Sequence, residues 1–105
     1  MKYYIYMLRC KDNSIYTGIT TNVENRMKEH FNKEKNCAKY TYSHTAEKLE
    51  CVWQTENRVL ASKLEYRIKK LTKFQKEKLI IENNLEELFK EKIDYTKYCK
   101  CSYCK

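Results

Sequence analysis

The chain predicts an α+β fold: a small three-stranded, mainly antiparallel sheet flanked by helices. Three observations lead there. Residues 3–9 and 14–20 alternate β-branched, aromatic and aliphatic side chains, the mix that strands favour. The polar turn Lys11-Asp12-Asn13 separates them, of the kind that joins antiparallel strands. Further on, one more alternating run is followed by apolar residues at helical spacing.

The first two strands come as a hairpin. A strand has a side-chain period of two, so Tyr4, Tyr6 and Leu8 share one face and Ile5 and Met7 the other. Tyr16, Gly18 and Thr20 likewise lie opposite Ile15, Thr17 and Ile19. A register that sets Ile5 and Met7 beside Ile15 and Ile19 brings Tyr6 near Tyr16. Gly18 is the only glycine in 105 residues. Inside a strand, glycine suggests close approach by another group.

A helix over 22–32 follows. Thr21 or Asn22 can cap it, and Glu24 suits the positive end of its dipole. Val23, Met27 and Phe31 give a buried stripe. Arg26 and His30, four apart, project together beside that stripe. Residues 33–39 read as a charged loop, followed by Ala38-Lys39-Tyr40-Thr41. Lys39 suits a phosphate contact, and Tyr40 suits stacking or packing. His44, in a polar stretch, reads as a surface residue.

The third strand is expected over 48–55, with Leu49, Cys51 and Trp53 on its apolar face and Trp53 as the core anchor. Asn57 opens a helix over 58–71, with Leu60, Leu64, Ile68 and Leu71 as its stripe. Glu65 falls at the stripe's edge, where periodicity alone makes it a surface acid paired with Lys69. Thr72 caps a helix over 73–82, with Phe74, Lys78 and Ile81 near one face and Leu79 and Ile80 adding apolar surface. Asn83-Asn84 breaks the pattern. Leu85, Leu88, Phe89 and Lys92 then suggest a short helix over 85–92. This divides the chain into a domain over 1–83 and a helical, cysteine-bearing extension over 84–105.

Composition sets the class. Hydrophobic residues make up 42% of the chain and proline is absent, so a packed globule is expected rather than disorder. Lysine and arginine total 22 against 14 acids, a net charge of +8. That favours a polyanionic partner, nucleic acid ahead of a membrane surface. From Lys63 to Lys78 seven residues are basic and two acidic, a run able to track a phosphate backbone through Lys69, Lys70 and Lys73. No apolar stretch is long enough to span a bilayer. The N-terminus is too short and polar for a signal peptide, so a cytoplasmic protein with reduced thiols is expected. Cys99, Cys101 and Cys104 offer soft ligands for zinc. They are three where zinc wants four, and no second Cys or His pair completes them. Cys10, Cys37 and Cys51 are scattered and read as packing or loop residues.

Tyr4-Ile5-Tyr6, then Tyr16-Thr17-Gly18, then Arg26 and His30, resemble the core of the GIY-YIG nuclease superfamily. The likeness is to its small stand-alone members. It extends from Tyr16-Thr17-Gly18-Ile19-Thr20-Thr21-Asn22 through residues 38–41 and the helix over 61–70, covering roughly residues 2–82. There are departures. Tyr4 stands where the family name has glycine, Thr17 is a common small-member variant, and Ile19 stands where some excision-repair relatives carry lysine. The resemblance implies a metal-dependent endonuclease acting on DNA rather than RNA, as a monomer, with DNA repair as a setting and structure-directed or weakly specific cutting. It implies a catalytic set of Tyr6, Tyr16, Arg26, His30 and Glu65, with Glu65 holding magnesium or manganese. Tyr16 would be the base and Tyr6 would orient the water or phosphate. Arg26 would grip phosphate, and His30 would bind phosphate or relay a proton. Two other classes share these residues: a catalytically silent nucleic-acid-binding module, and an interaction protein acting through the C-terminal segment.

Overall fold

The structure, a computed structural model, describes residues 1–33 and 39–101; Cys37, Ala38 and Cys104 fall outside them. Strands β1 (Tyr3–Cys10) and β2 (Ile15–Thr20) form the expected antiparallel hairpin. Its turn closes with Asn13 in the left-handed region (φ 71°) and with the Asp12 carboxylate accepting from the Ser14 amide at 3.0 Å. Asparagine and aspartate are the residues that tolerate such geometry. The register pairs Tyr6 with Gly18 and Leu8 with Tyr16. Tyr6 and Tyr16 are therefore diagonal neighbours on one face.

Helix α1 (Val23–Phe31) is capped by Asn22, whose side chain accepts from the Asn25 amide. A short helix, α2 (Lys39–Ser43), begins at the last residue of the expected charged loop, where no helix is expected from the sequence. Strand β3 (Ala46–Thr55) pairs with the other edge of β1. Helix α3 (Arg58–Lys69) is capped by Asn57, and α4 (Lys73–Glu82) by a reciprocal Thr72–Gln75 box. Asn83 ends α4 in the left-handed region, and Asn84 caps α5 (Leu85–Phe89), which stops three residues short of the expected 92. A 3₁₀ turn (Tyr95–Lys97) leads into β4 (Cys99–Cys101).

The sheet has four strands, in the order β2-β1-β3-β4, not three. β4 adds to the open edge of β3 by antiparallel pairing. Its three residues, Cys-Lys-Cys, are too few to register as a period-two run, although backbone pairing needs no such pattern.

Each face of the sheet has its own core. Ile5, Met7, Ile15, Cys51 and Trp53 pack against Ala61, Leu64 and Ile68 of α3, Leu79 of α4, and Leu85, Phe89 and Tyr98 of the C-terminal segment. The indole N–H of Trp53 donates to Asn83 Oδ1 at 2.9 Å, which seats the α4–α5 junction on the sheet. Across the sheet, Tyr6, Leu8 and Val52 pack with Val23, and Met27 lies against them. Arg9 ties β1 to α4 through two bonds to the Glu77 carboxylate, at 2.6 and 2.7 Å, and one to Glu50 at 2.9 Å. The helical stripes are narrower than expected. Phe31 is 38% exposed, because His30 takes the buried place at the end of α1. Phe74 and Ile81 are 77% and 81% exposed, because α4 meets the core along Leu79 and Ile80.

Candidate active site

The expected site residues converge beside the β1–β2 hairpin, between α1 and α3. Tyr6 points across β2 over Gly18. A Cβ at position 18 would lie 2.5 Å from the Tyr6 phenol oxygen and 2.7 Å from Cζ, so no side chain fits there. The glycine is a steric requirement of the site.

The Tyr6 hydroxyl is 2.8 Å from His30 Nε2, and Arg26 Nε donates to it at 3.4 Å. His30 Nδ1 in turn lies 2.6 Å from the Thr41 hydroxyl. His30 and Thr41 are fully buried and Tyr6 nearly so. Burial pushes the Tyr6 phenol well above its ordinary pKa; the Arg26 hydrogen bond opposes that push, and Tyr16 and Glu65 add to it. Burial, aided by the Arg26 charge, lowers the His30 imidazole to about 4. Both groups are neutral at pH 7. Arg26 also bonds Glu29 at 2.6 Å, one helical turn on.

The other half of the site is half-exposed. The Tyr16 ring lies 6.1 Å from that of Tyr6 and 5.5 Å from that of His30, between centroids. Tyr40 stacks on Tyr16 at 5.5 Å, and His44 stacks on Tyr40 at 4.2 Å. His44 Nδ1 is 2.5 Å from the Asp12 carboxylate. Lys69 places its ammonium 5.8 Å from the centre of the Tyr16 ring and 3.2 Å from Glu65 Oε2. The surface pair that periodicity predicts is thus present, and it stands against the Tyr16 ring.

Tyr6, Tyr16, Arg26, His30 and Glu65 are thus brought together, with Tyr40 stacked beside them. Of the expected phosphate contacts, Lys39 is exposed at the start of α2, Lys70 lies over Tyr66 at 5.2 Å, and Lys73 pairs with Glu77 at 3.3 Å. Sequence reasoning did not find Thr41, the Asp12–His44 pair, or Lys69 as a neighbour of Tyr16. Their contacts join separate elements, which no local period reports.

A metal has one clear carboxylate here. Glu65 is half-buried, whereas Glu29, the other acid nearby, is held by Arg26. Among the described residues no group of three or more His, Cys, Asp or Glu side chains could hold an ion. Magnesium needs no such cage, since it keeps several waters and takes substrate oxygens. The lone Glu65 fits that mode. Cys99 and Cys101 lie on β4, and Cys104 is outside the described residues.

The sheet, the paired tyrosines and the Arg–His helix define a nuclease-type domain. Residues 2–78 match the family model described as the GIY-YIG catalytic domain, and the chain belongs to that family. It is 46% identical over 80 residues to a UPF0213 protein of Fusobacterium nucleatum, a match covering 76% of this chain and 78% of the relative. A UPF0213 protein of Clostridium perfringens is also 46% identical, over 85 residues, 80% of this chain and 88% of the relative. The solution NMR structure of a UPF0213 protein from Bacillus halodurans aligns with a TM-score of 0.50 and 38% identity, over 77% of this chain and 84% of that one. No helix among the described residues is long and apolar enough to cross a membrane.

Proposed function

We propose that the chain is a metal-dependent endonuclease that hydrolyses phosphodiester bonds in DNA, cutting by structure or with weak sequence preference. The supporting observation is the unequal pair of tyrosines. Burial keeps Tyr6 a neutral phenol, held in place by His30 and Arg26, while Tyr16 stays half-exposed between Tyr40 and Lys69. Simple aromatic packing would not require a buried His–Thr support or a glycine cleft beneath one ring.

The roles follow. Arg26 presents a permanently charged fork to a phosphate oxygen. Tyr6 donates or accepts one hydrogen bond to orient the phosphate or the attacking water. His30 fixes the Tyr6 hydroxyl; with both ring nitrogens engaged, it has none to offer a phosphate. Tyr16 takes the proton of the water whose oxygen attacks phosphorus. The Lys69 ammonium lies beside that ring, where it would face the charge of the phenolate that acts as base and that is discharged as the proton arrives. Glu65 would hold magnesium or manganese, which supplies charge relief to the phosphate and the leaving oxygen.

The experiment is cleavage of labelled DNA substrates with and without magnesium. Glu65→Ala should abolish metal-dependent cutting. Tyr16→Phe removes one oxygen and keeps the ring, so it should lower the single-turnover rate about 10²–10⁴-fold, the range of general base catalysis. Binding should barely change. A Tyr16→Phe protein cutting at the parent rate would sink the base assignment.

A further inference from the structure

We infer that α3 carries a groove for a single unpaired nucleic-acid strand, running from the catalytic centre to a second, basic and aromatic cavity. The inference rests on the nuclease reading for the position of the cut phosphate, but not for the groove itself. At about 100° per residue, Arg58 and Lys69 lie within ~40° of Glu65 around the helix, Tyr66 at ~100°, Lys63 at ~160° and Arg67 at ~200°. The solvent face of α3 is thus cationic from the metal-binding edge onward, and Glu65 is its one acid.

Two cavities meet at the first residue of α3. One, of about 480 Å³, reaches from Arg26 to Arg58. The other, of about 510 Å³, is lined by Arg58, Lys63, Arg67 and Lys92 around Tyr66, with no acidic side chain. Arg58 belongs to both. None of these four cations has a carboxylate partner among the described residues, whereas Lys69, Lys73 and Lys78 are each paired with a glutamate. Unpaired cations attract phosphate more strongly, because no internal ion pair has to break first. The cavity therefore competes well with the longer lysine run for the polyanion.

The aromatic component selects the strand type. Tyr66 is 53% exposed, with the Arg67 guanidinium 5.4 Å and the Lys70 ammonium 5.2 Å from its ring centre. An exposed ring edged by cations is a stacking platform for a base and a clamp for the flanking phosphates. Bases in a duplex are already stacked on each other and cannot use it. The occupant is an unpaired strand, such as an overhang or flap leaving the cut site.

Binding to labelled oligothymidylate, to a blunt duplex and to the same duplex with a single-stranded overhang tests this. Fluorescence anisotropy in metal-free buffer keeps cleavage out of the measurement. Tyr66→Ala should weaken oligothymidylate and overhang binding about 10-fold and leave the blunt duplex within about twofold. Tyr66→Phe should retain affinity. Replacing Arg58, Lys63 and Lys92 together by glutamine should lower the single-strand salt slope by about 2. Trp53 fluorescence confirms that each variant is folded. Unchanged oligothymidylate binding by Tyr66→Ala, or an equal loss on the blunt duplex, overturns the groove. So does a polyglutamate peptide competing as well as the oligonucleotide, which would make the partner an acidic protein. A wild-type protein that never cuts but keeps the Tyr66 difference retires the nuclease reading and leaves the groove standing. Glu65-dependent cutting without that difference does the reverse.

Discussion

Acid should destabilise this fold through His30 before it does so through carboxylates. The imidazole is fully buried between Tyr6 and Thr41 and titrates at about 4, below the 6.5 of an exposed histidine. Above pH 6.5 the folded and unfolded chains both hold it neutral, and its contribution is fully present. As pH falls from 6.5 to 4, the unfolded chain takes up a proton that the fold refuses, so stability is lost. Below 4 both states are protonated and the loss is complete. The gap corresponds to about 3 kcal/mol, of which ~2 kcal/mol is gone by pH 5. Glu77 loses stability in the same direction but at lower pH: Arg9 holds it at about 2, so its contribution persists down to about pH 4 and does not overlap the upper part of this window.

Two measurements check this. Urea unfolding followed by Trp53 fluorescence between pH 8 and 5 should show the loss, and His30→Gln should flatten it. The chain has only two histidines, His30 and His44, so their ring proton resonances can be followed separately by NMR. The His30 resonance should stay that of the neutral ring until close to pH 4. A His30 midpoint near 6.5, or a flat stability profile in wild type, would refute the buried-neutral assignment and the Tyr6 locking built on it.

Three further outcomes are expected. Gly18→Ala should cost about 1–3 kcal/mol by overpacking, since Tyr6 can yield only by giving up its bonds to His30 and Arg26; a denaturation midpoint equal to wild type would contradict the cleft. Thr17→Val should raise stability by about 1 kcal/mol or more, because the Thr17 hydroxyl is buried with no partner among the described residues; a lower melting temperature would show that it has one. Lys69→Met should tighten manganese binding at Glu65 by a few-fold, since it removes the resident cation of an exposed pair; paramagnetic line broadening at lower manganese concentrations reports this, and weaker binding would mean that Lys69 helps to build the site.

What the sequence reveals tracks how local each feature is. The hairpin, the caps at Asn22, Asn57 and Thr72, and the Asn83-Asn84 break rest on neighbours within a few residues, and each appears where expected. The face shared by Tyr6 and Tyr16 follows from the period of two, but their pairing depends on a register that alternation alone left open. His30 shows the limit most clearly. Its spacing from Arg26 put it beside the stripe, yet its burial is fixed by Tyr6, 24 residues away, and by Thr41, 11 residues on. Glu65 pairs with Lys69 as periodicity predicts, and the metal-binding role proposed for it comes only from the family resemblance.

The two tyrosines divide the site into a dry half and a wet half. Tyr6, His30 and Thr41 are part of the core over α1, so replacing them changes packing before it changes chemistry. Tyr16, Lys69 and Glu65 reach solvent; the Tyr16 ring packs against the Tyr6 core, and Tyr16→Phe keeps that ring and so leaves the packing in place. A rate loss in Tyr6→Phe or His30→Gln therefore has meaning only beside an unfolding curve. The same loss in Tyr16→Phe reads directly as transition-state stabilisation. If both tyrosines act in one step, the double variant should lose less than the product of the single losses, provided that Tyr6→Phe leaves the Tyr16 ring where it is. Gly18 makes that proviso testable. It is the point where the Tyr6 ring crosses β2, with Tyr16 Cε2 only 3.1 Å from the position a Cβ would take. An alanine there should displace Tyr6 and crowd Tyr16 together, reproducing the double variant's rate without touching either hydroxyl.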